Sequence, residues 1–171
     1  LDADNFIELH FLKEALPGYF WIFPLPNGQA NVGLGMRSDV ISKKKVNLKK
    51  LLIEIIERHP QISKRFESAT ADGGIKGFGL PLGSKKRSLV ADNILLTGDA
   101  ASLIDPFTGE GIGNALFSGI YAAETVAGQT VTRDFSKEAL KKYEGQVYHR
   151  MWDELRLSRR MQQLVQYPWL F

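Results

Sequence analysis

The chain has 171 residues, of which 44% are hydrophobic and 24% charged, and its formal net charge is +3. This balance is typical of a globular chain that buries a core, and it excludes global disorder. The absence of cysteine excludes disulfide scaffolds, thiolate nucleophiles and cysteine-based metal sites. The three histidines, His10, His59 and His149, lack metal-ligand spacing, so we expect no metal site.

No apolar run reaches the length of a membrane-spanning helix, and the first residues do not form a signal peptide. We therefore expect a soluble, cytoplasmic protein. The chain starts at Leu1 without a methionine and enters a strand-like pattern almost at once. We therefore expect this sequence to be a piece of a longer chain.

The first part of the chain predicts an antiparallel meander. Aromatic and β-branched residues cluster in residues 6–12 and 19–24, and a Pro-Gly turn signal separates the two runs. Asn27-Gly28 then predicts a tight hairpin, and residues 30–36 alternate between apolar and small or polar types. At least three strands are therefore expected in roughly the first 37 residues.

A helix and two connections are predicted next. The apolar spacing from Leu48 to Ile56 predicts a helix that Asn47 caps and that ends at Pro60. The lysine run before it, residues 43–45, predicts a solvated connection rather than a nucleic-acid or lipid patch, because no nucleic-acid-binding motif accompanies it. The glycine-rich residues 71–82 predict an irregular strand.

The second half predicts one strand followed by helices. Residues 93–97 are apolar and predict a buried strand that ends at Gly98-Asp99. Small and apolar residues in 111–127 predict a helix packed on several sides. Residues 136–165 predict a charged amphipathic helix or a pair of helices.

The strongest candidate site lies where this strand meets the next helix. A strand ending at Asp99 presents a carboxylate that can accept hydrogen bonds from ligand hydroxyls. The glycine-rich helix start offers unpaired backbone N–H groups and the positive end of the helix dipole. Each feature alone also fits an ordinary turn, but together they suit a polyhydroxylated, anionic cofactor.

The order strand, Gly-Asp, loop, Pro-x-x-Gly, helix resembles the second flavin-binding motif of the FAD-dependent oxidoreductases built like para-hydroxybenzoate hydroxylase. In that superfamily the aspartate binds the ribityl chain of FAD, and the amides at the helix start face the pyrimidine end of the flavin. The cofactor-binding residues that this resemblance implies are Gly98, Asp99, Pro106, Gly109, Glu110, Gly111 and Ile112.

A second motif resembles that of the geranylgeranyl reductase family. Residues 19–24 read YFWIFP, and after eight further residues comes Gly33-Leu34-Gly35, which matches the pattern Y-x-W-x-F-P…G-x-G. Members of this family use FAD to reduce isolated carbon–carbon double bonds of isoprenoid chains, and the pattern is associated with their substrate pocket. The substrate-binding residues that the resemblance implies are Tyr19, Trp21, Phe23, Pro24, Gly33 and Gly35.

The aromatic residues of this motif have two interpretations when they are considered without the resemblance. Tyr19, Trp21 and Phe23 point to one face of a strand, since side chains alternate along it. This face could line an apolar cavity for a lipid tail, or it could form the core between the sheet and a helix.

The resemblance implies an α+β fold, with an antiparallel substrate-domain sheet and one helix in residues 1–92. A flavin-contacting strand, loop and helix follow in residues 93–130, and a C-terminal helical region occupies residues 131–171. The G-x-G-x-x-G motif of the Rossmann-like FAD half does not occur in the sequence. We therefore expect this chain to be the C-terminal portion of the enzyme, and alone to be inactive and to bind FAD weakly or not at all.

The implied reaction is hydride transfer from reduced flavin to an alkene of an isoprenoid or prenyl-lipid chain, with NAD(P)H or another donor supplying electrons. No side chain stands out as the proton donor. Glu110 is a candidate, although an acid in the first helical turn also complements the helix dipole. Two alternatives remain open: another flavin oxidoreductase of the aromatic hydroxylase or halogenase type, and a non-catalytic interaction module.

Partners follow from the same reasoning. We expect a large apolar small-molecule substrate and no nucleic acid. Residues 133–160 hold eight basic and five acidic side chains, which permits peripheral contact with anionic lipids, although a solvated helix face is the favoured interpretation. Leu95, Ile104 and Phe107 are expected to be exposed by truncation and to favour homo-oligomers.

Overall fold

The structure is a computed structural model that describes residues 6–165. The chain divides into two compact units, Leu1–Phe78 and Gly79–Phe171. The first unit is a sheet with helices, and the second consists mainly of two long helices with a short strand pair. This α+β composition is the fold class that the sequence predicts.

The first unit contains the predicted meander. Strands β1 (Glu8–His10), β2 (Tyr19–Leu25) and β3 (Gln29–Gly35) pair antiparallel in the order β1-β2-β3. The turn between β2 and β3 has left-handed backbone angles at both central residues, with φ 65° at Asn27 and 72° at Gly28. Because asparagine and glycine tolerate these angles better than other residues, the hairpin forms where the sequence predicts it.

The core of the first unit lies on one face of this sheet. Phe20 and Ile22 are fully buried there, together with apolar side chains of helix α2 and the segment after it. Helix α2 (Leu48–Arg58) starts where the Asn47 side chain accepts the Lys50 N–H at 3.0 Å. The predicted helix and its cap are therefore confirmed.

The structure of the lysine run before α2 differs from the prediction. Residues 43 and 44 belong to helix α1 (Ser38–Lys44), whereas the sequence predicts a solvated connection. The helix is only seven residues long, has no buried residue and lacks a side-chain cap, so it gives little periodic signal. Lys43 and Lys44 are nevertheless exposed, as expected.

The second unit is organised around one long helix. Strands β4 (Val90–Ala91) and β5 (Ile94–Leu95) form a two-stranded ribbon, and helices α3 (Ile112–Gly128) and α4 (Lys137–Leu164) follow. The predicted amphipathic region is thus a single helix. No helix in residues 6–165 is both long enough and apolar enough to span a membrane. The α4 residues buried in the core are Leu140, Tyr143, Val147, Met151 and Leu155.

Two predicted strands differ from the structure. Residues 71–82 form no strand, and only Leu82 makes an isolated bridge, to Ile104. Glycines at four positions of this segment provide no side chains to bury, and residues 71–80 are all exposed. The strand predicted at residues 93–97 is reduced to β5 and is not buried, because Ile94 is 51% exposed in a ribbon of only two strands.

The apolar surface also differs from the prediction. Ile104 is buried at 2% exposure, whereas Leu95 and Phe107 are half-buried. Helix α3 is not packed on several sides, because Ile112 and Leu116 are 75% and 65% exposed. The exposed apolar surface of the second unit therefore includes residues of α3 but not Ile104.

Candidate functional site

The Gly98-Asp99 corner is fixed by a buried hydrogen bond. Gly98 has a left-handed φ of 52°, and a Cβ atom there would lie 3.0 Å from the Ala115 Cβ. Its N–H donates to the Ser118 Oγ at 3.0 Å, and Ser118 is fully buried. Glycine is therefore required by both backbone angle and space. The corner holds Asp99 against the start of α3.

The strand that leads into this corner is anchored by a second buried group. The Tyr143 hydroxyl donates to the Leu96 carbonyl oxygen at 2.6 Å. Burial raises the pKa of Tyr143 to about 12, because the phenolate would be poorly solvated there. Tyr143 is consequently neutral at physiological pH and remains a hydrogen-bond donor.

The Asp99 carboxylate faces solvent beside the glycine-rich helix start. A Cβ atom on Gly111 would lie 3.3 Å from Asp99 Oδ1 and 3.0 Å from Ile104 Cγ1. Within residues 6–165 no donor is hydrogen-bonded to the Asp99 side chain. The carboxylate is thus free to accept hydrogen bonds from ligand hydroxyls, and a side chain at position 111 would crowd it.

The loop between this corner and α3 is preformed by Asp105. One oxygen of the Asp105 carboxylate accepts the N–H groups of Phe107 and Thr108, both at 2.8 Å. The Gly109 N–H donates to the Asp105 carbonyl at 3.0 Å, with φ 76° at Gly109. The Gln162 side chain of α4 donates to the Pro106 carbonyl oxygen. These contacts fix the path of the loop without any ligand.

The start of α3 carries both a capping acid and unused donors. Glu110 Oε1 accepts the Gly113 N–H at 2.9 Å. This acid therefore caps the start of α3 and complements the positive end of the helix dipole. Within the described residues, the N–H groups of Ile112 and Asn114 have no acceptor. The arrangement therefore offers a carboxylate acceptor and backbone N–H donors within one short stretch. A flavin fits these groups, because its ribityl hydroxyls can donate to the carboxylate and its ring carbonyls can accept from the N–H groups.

The aromatic residues of the first unit form a continuous row on the sheet face opposite its core. Tyr19 and Trp21 have ring centroids 6.1 Å apart, and Trp21 and Phe23 are 6.0 Å apart. All three are half-buried, whereas Phe20 and Ile22 between them are fully buried. The rings therefore do not form the core between the sheet and α2, which was the alternative left open by the sequence.

The pattern G-x-G has a direct structural reason. In the β2–β3 register Trp21 lies opposite Gly33 and Tyr19 opposite Gly35. A Cβ atom on Gly33 would lie 2.0 Å from Trp21 Cζ2, so the indole ring covers the glycine. The Trp21 Nε1–H donates to Asn31 Oδ1 at 2.8 Å and fixes the ring orientation. Strand β3 thus places no side chain opposite Trp21 or Tyr19, and the indole ring occupies the space over Gly33.

Pro24 lies in β2 opposite Ala30 and is half-buried, and strand alternation directs it to the core face with Phe20 and Ile22 rather than to the aromatic row. Strand β1 extends the face of the aromatic row, since Leu9 lies opposite Trp21 and the Phe11 ring lies 6.1 Å from Tyr19. Leu9 and Phe11 were not singled out by the sequence analysis. A strand paired with β2 was predicted, but its register was not.

The predicted residues thus form two groups. The cofactor set, residues 98–112, lies in the second unit, and the substrate set lies in the first unit. The sequence analysis missed Ser118, which accepts the Gly98 N–H. The only sequence feature that could have indicated this role is a hydroxyl residue within an otherwise apolar helix. Within residues 6–165, no three His, Asp or Glu side chains cluster as metal ligands would.

The chain is similar to known proteins over most of its length. Residues 2–75 match the family model described as the geranylgeranyl reductase catalytic domain. The chain is 35% identical over 145 residues to the digeranylgeranylglycerophospholipid reductase of Thermoplasma acidophilum, covering 84% of this chain and 35% of that protein. The enzyme of the same name from Methanoculleus marisnigri is 36% identical over 147 residues, covering 85% of this chain and 35% of the relative.

The fold agrees as well. A crystal structure of a geranylgeranyl bacteriochlorophyll reductase-like protein from Thermoplasma acidophilum superimposes with a TM-score of 0.79 at 31% identity. The match covers 96% of this chain and 40% of that one. This chain spans about a third of the length of the curated relatives it matches.

Over residues 2–75 the chain matches the catalytic domain of the geranylgeranyl reductase family. Its similarity to relatives that are named as reductases extends over 84–85% of the chain. The motif Y-x-W-x-F-P…G-x-G lies within the matched residues 2–75.

Proposed function

We propose that the protein carrying this chain is an FAD-dependent reductase that saturates carbon–carbon double bonds in the prenyl chains of an isoprenoid lipid. The observation that carries the proposal is the row of Tyr19, Trp21 and Phe23 on the sheet face opposite the core. The names of the curated relatives, which specify a digeranylgeranylglycerophospholipid, support the substrate class.

The segment around Asp99 is proposed to hold the flavin. The Asp99 carboxylate would accept hydrogen bonds from ribityl hydroxyls, and the unpaired N–H groups at the start of α3 would donate to the pyrimidine carbonyls. When bound and reduced, FAD supplies the hydride. Glu110 is assigned to capping α3, because its carboxylate already accepts the Gly113 N–H.

The aromatic row is proposed to bind the prenyl chain. The rings present a continuous apolar surface, and the indole of Trp21 is held in one orientation by Gly33 and Asn31. A continuous apolar surface of this kind would bind an extended hydrocarbon by burying its apolar area and would exclude water from the alkene. Orientation of the double bond is then the main contribution of the first unit.

The test is a reduction assay on the longest native polypeptide that carries these residues. Dithionite reduces the enzyme-bound flavin, a digeranylgeranylglycerophospholipid in detergent is the substrate, and mass spectrometry counts the hydrogens gained. We expect two hydrogens per reduced double bond. Trp21→Leu should raise KM about 10-fold, since leucine buries about 50 Å² less apolar area, which at about 25 cal/mol per Å² is about 1.3 kcal/mol.

The matched control is Leu157→Ala, which truncates an exposed apolar side chain of α4 that is 58% accessible. This variant should retain the KM of the wild type. Absence of hydrogen gain in the flavin-loaded wild type, or equal KM values for Trp21→Leu and wild type, would contradict the proposal.

A further inference from the structure

A basic segment of the second unit is held rigidly on α4. The segment 84–88 contains Lys85, Lys86 and Arg87 in succession. The Tyr148 hydroxyl accepts the Arg87 N–H and donates to the Arg87 carbonyl oxygen, both at 2.7 Å. This paired contact fixes the backbone of the segment, so its charges are presented from a defined position rather than from a mobile loop.

Two further contacts from α4 hold the flanks of this segment. The Glu144 carboxylate accepts the Leu89 N–H at 2.7 Å. The Arg159 guanidinium donates to the Ser84 carbonyl at 2.5 Å. The segment is therefore anchored at both ends and in its middle. A groove lies between the segment and α4, which we call the basic groove; its main residues are Lys86, Arg87, Lys141, Tyr148, His149 and Trp152.

The groove combines a cation with two amphipathic rings. The Lys86 Nζ lies 5.2 Å from the ring centroids of both Tyr148 and Trp152. The two rings are 6.0 Å apart and meet edge to face at 87°. Lys86 is exposed, and both rings are half-buried. The groove therefore presents a positive charge beside partly accessible tyrosine and tryptophan rings.

The groove is lined by more basic than acidic side chains. Lys86, Arg87 and Lys141 line it together with two carboxylates, Glu144 and Asp153, and Asp153 is paired with Arg156 at 3.3 Å. Within residues 6–165 neither Lys86 nor Lys141 has a carboxylate at ion-pair distance. The surface therefore carries a local excess of positive charge that a polyanionic partner would complement.

We propose that the basic groove docks the protein on a membrane surface that contains anionic lipids. Lysine and arginine side chains bind lipid phosphates, and tryptophan and tyrosine favour the interface between headgroups and acyl chains. The charge and the aromatic rings lie on the same surface, as such docking requires. The proposal goes beyond the proposed function, and its test involves no catalysis, so failure of one is distinguishable from failure of the other.

The test is co-sedimentation of the protein with vesicles of phosphatidylcholine alone or of phosphatidylcholine mixed with phosphatidylglycerol. We expect binding only to the mixed vesicles, and weaker binding as salt is raised. The double variant Lys86→Gln/Arg87→Gln should lower the partition coefficient about 30-fold, because each basic residue near an anionic surface contributes about fivefold.

The matched control is Lys43→Gln/Lys44→Gln, which removes the same charge from an exposed lysine pair on α1. It should change the partition coefficient by less than about threefold, since α1 lies outside the groove. The charge-preserving variant Lys86→Arg/Arg87→Lys should bind like wild type, which separates loss of charge from loss of folding.

Three results would overturn the proposal. One is equal binding to neutral and mixed vesicles, and another is an equal loss in the two glutamine double variants. The third is full displacement of the protein from mixed vesicles by inorganic phosphate at matched ionic strength, which would identify a site for a soluble anion instead.

Discussion

Replacement of Gly33 by alanine should disturb the aromatic row directly. The added methyl group would lie 2.0 Å from Trp21 Cζ2. Carbon atoms in favourable contact are about 3.5 Å apart, so the indole must move by about 1.5 Å. That shift strains its hydrogen bond to Asn31 and its contacts with Tyr19 and Phe23.

The magnitude follows from opposing contributions. Overpacking costs about 1–3 kcal/mol. Loss of one exposed hydrogen bond costs about 0.5–1.5 kcal/mol. Alanine in place of glycine in a strand stabilises by about 0.5–1 kcal/mol. Taken together, these contributions predict that Gly33→Ala lowers the free energy of unfolding by about 0.5–4 kcal/mol.

Gly35→Ala is the matched control, because a methyl group there would lie 3.7 Å from Trp21 Cζ3, an ordinary contact. It should be neutral or stabilising by up to about 1 kcal/mol. Urea denaturation followed by tryptophan fluorescence measures both variants. If Gly33→Ala is no more destabilising than Gly35→Ala, the explanation of the G-x-G spacing is refuted.

Three further predictions concern buried or paired polar groups. Ser118→Ala removes the acceptor of the Gly98 N–H and should cost about 1–3 kcal/mol in urea denaturation; a cost below about 0.5 kcal/mol would show that this bond is dispensable. The Tyr143 phenol should titrate near pH 12 in phenolate absorbance. Its raised pKa contributes stability below the ordinary value of 10 that is lost as pH rises towards 12; an ordinary titration would contradict its burial. Hydrogen bonding to Arg65 lowers the pKa of Glu8, so Glu8→Gln should destabilise the protein at neutral pH. That difference should shrink as pH falls from 4.5 through the lowered pKa; a difference independent of pH between neutral and acid conditions would contradict the ion pair.

Local signals in the sequence were sufficient for the hairpin and for α2. Asn27-Gly28 has the positive φ values that its residue types favour, and the Asn47 side chain makes the capping bond that its position predicts. The register was not accessible in the same way, because the connection has three residues, Pro26–Gly28, and a two-residue turn at Asn27-Gly28 would have placed Leu34 rather than Gly33 opposite Trp21.

Features that depend on tertiary contacts were not predictable in this way. The bond between Ser118 and Gly98 joins residues 20 positions apart, and no local pattern specifies it. Residues 71–82 have apolar positions typical of a strand but pair only at Leu82, because strand formation needs a partner edge. The basic groove likewise arises from residues 61 positions apart, Arg87 and Tyr148.

The measurement that tests the central claim most directly is the FAD affinity of the longest native polypeptide that carries these residues, with and without the Asp99 carboxylate. The wild type is expected to purify with flavin absorption bands. Asp99→Ala should weaken FAD binding about 10- to 100-fold, the effect of losing a hydrogen bond to a charged group. Asp72→Ala, which removes an exposed carboxylate from the coil outside the candidate site, should leave the affinity unchanged. A wild type without flavin, or equal affinity in Asp99→Ala and wild type, would contradict the account.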